Sequence, residues 1–330
     1  MAEVVERRQP VTFRDVVRRA LRHENAVVGI ALAVLIAVLG GISRGATVTG
    51  ENMANVLLQS SVRGVAAVGQ AFCILTANFD LSVSGVAVMA MMLGSAMMTT
   101  EWTNILGYPA SPFMAILAML MVGLAWGLLN GALVSRLKLP SLIVTFGIWQ
   151  IGYAVAYYIT EGKAVMELPG SFAIYGKLPV APIIFFSVAA VAYFILTYTS
   201  FGRRVYAAGG NPVSAYLSGI NVRNMYIAVF AISGFFAGMA GMLMTSRGMS
   251  GSIEALRGLE LDSIASVVIG GVSLFGGQGN MIGVVVGAIL IGVVNNAVSV
   301  MHMGHAGRYI IKGAIIISAV AADILRRRGR

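Results

Sequence analysis

The chain alternates between long apolar runs and short polar segments over most of its length. A bilayer-crossing helix needs about 20 mostly apolar residues, and ten runs approach or reach that length. The eighth is short and interrupted by glycine, which predicts a broken or re-entrant helix. The pattern predicts an all-α, polytopic membrane protein with about ten transmembrane helices. The runs occupy residues 26–42, 56–77, 82–99, 112–135, 141–160, 182–199, 225–246, 261–275, 281–301 and 308–325.

The composition excludes an ordinary soluble domain. The 330 residues are 58% hydrophobic and only 11% charged, and the mean hydropathy is +0.85, whereas soluble domains carry about 25% charged residues. We expect one transmembrane domain over residues 26–325, between a basic cytosolic segment at 1–25 and a basic tail at 326–330. The single cysteine, Cys73, rules out a disulfide within the chain.

The net charge of +10 reflects membrane topology rather than nucleic-acid binding. Most basic residues precede the first run, follow the last one, or lie in connections that share one side of the membrane when ten spans are counted. The positive-inside rule then places both termini in the cytosol. The terminal arginines are Arg7, Arg8, Arg14, Arg18, Arg19, Arg22, Arg326, Arg327, Arg328 and Arg330.

The longest of these cytosolic connections, residues 200–224, contains a short helix signal of its own. Asn211 is a typical N-cap, Pro212 suits the first helical position, and Gly219 is a typical stop. Between them lies an apolar stripe at helical spacing, formed by Val213, Tyr216 and Leu217. So short a helix is unstable alone in water, so it docks either on its own membrane domain or on a partner protein.

Glycine-rich backbone interrupts the last part of the apolar pattern. Residues 270–280 are rich in glycine, which predicts irregular backbone rather than a helix. Irregular backbone is tolerated at membrane depth only where protein or a water-filled cavity covers it. This favours a transport protein over a simple anchor. Glycines four residues apart also predict close helix contacts, at Gly123, Gly127 and Gly131 and at Gly234 and Gly238.

Four collinear segments resemble bacterial ATP-binding-cassette (ABC) sugar permeases of the ribose, xylose and arabinose type. The first is the cytosolic loop from Phe201 through Asn211, continuing to Ile220. The stretch 75–83 is similar to the family's "GIDLSVG" motif, although Asn78 stands where glycine is usual. The others are 135–145, similar to "LKIPPFIVTLG", and 269–280 followed by Asn295 and Asn296, similar to "GGTSLSGG…NN".

The resemblance implies the permease subunit of an importer for a monosaccharide or related small polar solute, in the bacterial cytoplasmic membrane. Two copies, or one copy and a homologue, would pair with ABC ATPase subunits inside and a solute-binding protein outside. ATP would be bound by the ATPase, and the short helix would be the coupling helix. The implied coupling residues are Gly202, Arg203, Arg204, Gly209, Gly210, Asn211, Pro212, Ala215, Leu217 and Gly219.

Polar side chains inside apolar runs are the other functional candidates. Each has a structural alternative: Asp80 can bond its own backbone, and the amides can simply join helices. Arg63 either reaches the outer membrane interface or pairs inside the bundle; Asp262, Arg308 and Lys312 are the other ionisable candidates. The tentative solute-pathway residues are Asn78, Asp80, Ser82, Gln150, Asn295 and Asn296.

No catalytic, cofactor or metal motif stands out. The chain has no phosphate-binding G-x-x-x-x-G-K-[ST] loop, so transport energy must come from a partner or an ion gradient. His302 and His305 have metal-ligand spacing but no third ligand. Alternatives to a sugar are a polyol, an autoinducer, a nucleoside or a branched-chain amino acid, and the alternative class is an ion-coupled secondary transporter.

Overall fold

The computed structural model describes residues 24–301 and, beyond them, residues 307, 310, 311, 313, 314, 317, 318 and 321. The basic segment before residue 24, most of the tenth predicted run and the tail at 326–330 lie outside this set. His302 and His305 also fall outside it.

The described part of the chain is helical. Two 3-10 segments accompany the α-helices, at Ala46–Val48 and Gly170–Gly176. Extended pairing in this part is limited to one isolated antiparallel bridge, between Val165 and Gly251. The α-helices are α1 Glu24–Ile42, α2 Gly50–Leu75, α3 Val83–Met98, α4 Pro112–Arg136, α5 Ser141–Thr160, α6 Val180–Tyr198, α7 Ser200–Gly210, α8 Pro212–Leu217, α9 Val222–Gly248, α10 Leu259–Ile269 and α11 Met281–Val300.

Five of these helices are long and apolar enough to cross a bilayer: α4, α5, α6, α9 and α11. The protein is therefore an integral membrane protein, and five of the predicted spans are confirmed. The run at 26–42 and helix α3 are apolar but shorter, and the total of about ten spans remains a prediction.

The eighth predicted run is broken, as its glycines indicated. Helix α10 has 11 residues and is about 16 Å long, about half of a hydrocarbon core of about 30 Å. The chain then continues as the irregular glycine-rich loop 270–280, whose first residues are buried.

The predicted glycine contacts join α4 to α9. A Cβ atom on Gly123 would overlap the carbonyl oxygen of Gly234, and one on Gly127 would lie 2.9 Å from the Cα of Ala231. Any larger side chain would force the two backbones apart. Small residues of this kind allow the two long helices to pack closely.

The bundle has two recognisable ends. At one, which we call the α7–α8 end, the glycine-rich loop meets the last residue of α2, with the Gly277 amide donating to the Leu75 carbonyl at 2.9 Å. At the other, the far end, the loop after α5 meets the end of α3, and the Thr99 hydroxyl donates to the Met166 carbonyl at 2.8 Å.

Candidate functional site

Helix α8 begins and ends where the sequence predicts. The side chain of Asn211 accepts from the Ser214 amide at 2.9 Å, which satisfies a free donor of the first turn, and Pro212 follows at the first position. Gly219 ends the turn with a φ of +82°, a conformation that side chains disfavour. The structure therefore confirms the short helix that these signals predict, with a length of 6 residues.

The apolar stripe of α8 faces away from the rest of the chain. Val213 is 67% exposed, Tyr216 70% and Leu217 79%, whereas Ala215 on the opposite side is buried. Beside the stripe lies an open groove of about 730 Å³, whose lining includes Ile220. Exposed apolar surface of this kind is available for contact with lipid or with another protein.

Helix α7 holds α8 against the bundle. A Cβ atom on Gly202 would overlap the backbone of Leu196, and one on Gly209 would overlap the carbonyl oxygen of Leu75, so both glycines permit close backbone contact. Gly210, the next residue, has its nearest potential neighbour at 4.0 Å. Arg203 and Arg204 point away from this contact and are exposed.

The glycine-rich loop completes the support of α7. The phenol of Tyr206 donates to the Gly279 carbonyl at 2.9 Å. Burial raises the pKa of Tyr206, so the phenol stays protonated and remains a donor at neutral pH. Together with the bond between Gly277 and Leu75, this contact joins α2, α7 and the loop.

Asp80 is the centre of a buried hydrogen-bond network. Its carboxylate accepts from the Ser82 amide at 2.9 Å and from the Ser233 hydroxyl at 2.7 Å, while Ser82 also accepts from the amide group of Asn130 at 2.8 Å. Asp80 is 1% exposed. The network fixes the connection between α2 and α3. Asp80 accepts from the backbone amide of Ser82, which is the structural role that the sequence offered as the alternative to a place in the solute pathway.

The other pathway candidates lie apart from one another. Asn78 lines a cavity of about 400 Å³ at the α7–α8 end, and Asn295 lines another of about 400 Å³ towards the far end. The side-chain amide of Asn296 instead forms two hydrogen bonds with that of Asn52, at 2.7 and 2.9 Å. Gln150 is exposed on the outer surface of α5, in neither cavity.

The cavity beside Asn295 contains charged residues that spacing alone did not bring together. Arg63 pairs with Asp262 at 2.9 Å, inside the bundle rather than at its edge, and the amide of Asn295 donates to the same carboxylate oxygen at 3.2 Å. Arg247, which the pattern did not single out, also lines this cavity. The sequence signal that could have predicted this pair was the presence of opposite charges, Arg63 and Asp262, inside two apolar runs.

Within the described residues, no group of three or more His, Cys, Asp or Glu side chains is arranged to hold a metal ion.

Comparison with known proteins places the chain among membrane permeases. It is 35% identical over 303 residues to the ribose import permease protein of Haemophilus influenzae, covering 89% of this chain and 91% of the relative. The D-allose transport system permease protein of Escherichia coli is 34% identical over 302 residues, covering 89% and 90%. The xylose transport system permease protein of the same species is 31% identical over 377 residues, covering 93% and 94%.

No solved structure matched the chain significantly. A family model described as the permease component of the branched-chain amino acid transport system matches residues 52–320. The matched range includes α8, the glycine-rich loop and both cavities. The chain therefore belongs to this permease family, as its sequence motifs indicated.

Proposed function

We propose that the chain is the transmembrane permease subunit of an ATP-driven importer for a monosaccharide or a related small polar solute. The apolar face of α8 carries this proposal: three exposed apolar side chains stand on a helix whose support, α7, is fixed to the bundle by backbone contact. An exposed apolar face on a firmly supported helix suits a groove on a separate subunit. In an ATP-driven importer, that subunit is the one that hydrolyses ATP.

In this proposal the α7–α8 end faces the cytosol of a bacterial cell, and both termini lie on that side of the cytoplasmic membrane. Closure of two ATPase subunits on ATP would move α8, and the movement would pass through α7 to the membrane helices. Arg203 and Arg204 are exposed beside α8 and would meet acidic groups of the ATPase. The chain itself would supply no ATPase site.

The far end would receive solute from an external binding protein, and a second copy or a homologue would complete the pore. Monosaccharides are favoured because the relatives are named for ribose, allose and xylose. A branched-chain amino acid is the second candidate, since the family description names it. Uptake of labelled D-ribose in competition with D-allose, D-xylose and L-leucine separates the two.

The coupling role is tested by replacing Tyr216 and Leu217 together with serine. Both side chains are mostly exposed, so folding is preserved, whereas co-purification of the ATPase and solute uptake are expected to be lost. Ile174→Ser is the matched control, because Ile174 is 55% exposed but lies at the far end. Full uptake by the Tyr216→Ser, Leu217→Ser variant would remove the coupling role from α8.

A second experiment separates the importer from a secondary transporter. The purified chain in liposomes is expected to move no solute under an ion gradient, and to do so only with its ATPase, ATP and the loaded binding protein. Gradient-driven uptake by the chain alone would contradict the proposal.

A further inference from the structure

The cavity towards the far end is lined by charged and amide side chains from four helices and from the loop after α9. Its lining includes Gln59 and Arg63 of α2, Arg247 of α9, Asp262 of α10, and Asn295 and Ser299 of α11. Its volume of about 400 Å³ falls in the range of small-molecule sites.

Three of these side chains are held in fixed positions. The Arg63 guanidinium donates through Nε to Asp262 at 2.9 Å and through a terminal nitrogen to the Gln59 carbonyl at 3.3 Å. Asn295 donates to the same Asp262 oxygen and is 3% exposed. A site whose polar groups already hold one another can bind a ligand with little further ordering.

Arg247 differs from these side chains. No carboxylate of the described residues lies within ion-pair distance of the Arg247 guanidinium, and its side chain forms no hydrogen bond with any described residue. Arg247 nevertheless lines the same cavity as Arg63. The cavity is lined by three guanidinium groups, those of Arg63, Arg247 and Arg257. Arg63 pairs with the Asp262 carboxylate and Arg257 with Glu254. Arg247 lies in the last turn of α9 and is half-buried, and up to five N–H donors of its guanidinium can serve a ligand.

We propose that this cavity is a binding station for the transported solute, with Arg247 as its main donor to ligand oxygens. The class of ligand is a neutral polyhydroxylated molecule, because its hydroxyls accept from Arg247 and donate to the amide and carboxylate oxygens of the lining. The lining also includes the apolar side chains of Val62, Met244 and Leu259, which suit the C–H face of a sugar ring. The inference rests on the proposed importer function and adds the place where solute is held.

The test measures labelled D-ribose imported per ATP hydrolysed, using the complete complex with its loaded binding protein in liposomes. Arg247→Gln is expected to lower this ratio on the order of tenfold, since one charge-assisted hydrogen bond to the solute is lost. ATP hydrolysis is measured in the same samples, because lost solute binding lowers import per ATP, whereas a structural defect lowers import and ATP hydrolysis together. Lys163→Gln is the control, as Lys163 is an exposed cation of the far end outside the cavity.

Gln59→Leu provides a second variant, expected to lower the same ratio in case Arg247→Gln is poorly produced. An unchanged ratio in these variants overturns the inference, and so does a parallel loss of ATP hydrolysis and uptake, which would make the positions structural. Failure of the unaltered complex to import any of the sugars tested overturns both the importer proposal and the binding station. Equal import by the unaltered and Arg247→Gln complexes overturns the binding station alone.

Discussion

Two adjacent glycines of α7 offer a matched test of the contact between this helix and the rest of the bundle. A Cβ atom on Gly209 would lie 2.8 Å from both the Gly277 nitrogen and the Leu75 carbonyl carbon, and closer still to the Leu75 oxygen. On Gly210, the nearest atom would be at 4.0 Å. The same substitution to alanine therefore meets backbone at one position and open space at the next.

The expected magnitudes follow from these distances. Carbon contacts are optimal at about 3.5–4.0 Å and the Leu75 oxygen would be the nearest atom, so Gly209→Ala requires the backbone to move by more than about 1 Å. Overpacking of this kind costs about 1–3 kcal/mol, and the better helix propensity of alanine returns up to about 1 kcal/mol. Gly209→Ala should therefore destabilise the protein by up to about 3 kcal/mol, whereas Gly210→Ala should be neutral or slightly stabilising.

The assay is thermal unfolding of both variants in one detergent at one scan rate, because membrane proteins commonly unfold irreversibly. Solute uptake by cells that carry the complete transporter is measured alongside it. We expect Gly209→Ala to unfold at a lower temperature and to lose most of its uptake, with Gly210→Ala close to the parent. Equal behaviour of the two variants would refute the assigned contact.

Two further predictions concern buried polar contacts. Ser233→Ala removes a donor from the Asp80 carboxylate, so we expect a loss of about 1–3 kcal/mol and a lower unfolding temperature; an unchanged temperature would show that Asp80 does not need this bond. Replacing Asn52 and Asn296 with leucine, singly and together, should give a double-mutant coupling of about 0.6 kcal/mol, the usual size inside membrane bundles. A coupling near zero would mean that the hydrogen bonds between the two amides add no stability beyond the packing of the two side chains.

Local signals predicted local structure well. The N-cap Asn211, the following proline and the stop at Gly219 specified α8, because capping depends on neighbours within a few residues. The glycine spacing predicted a contact face on α4 and another on α9 for a related reason, since residues four apart share a helix face; that the two faces meet each other is a finding of the fold. The broken eighth run was likewise visible in its glycines.

Side-chain partners were beyond the reach of the pattern. Arg63 and Asp262 are 199 positions apart, and Asn52 and Asn296 are 244 apart, so no spacing rule relates them. Gln150 shows a second limit. Helices such as α5 are apolar on all sides, and an all-round apolar pattern does not distinguish the protein-facing side from the outer one. Its exposure therefore required the fold.

Helix α10 and its glycine-rich extension form a strap that is secured at both extremities. Asp262 is bonded to α2 and α11 towards the far end, and Gly277 and Gly279 are bonded to α2 and α7 at the α7–α8 end. A shift of α7 and α8 must therefore either carry this strap along or sever one of its attachments. Through it, the two surfaces of the membrane domain are mechanically interdependent.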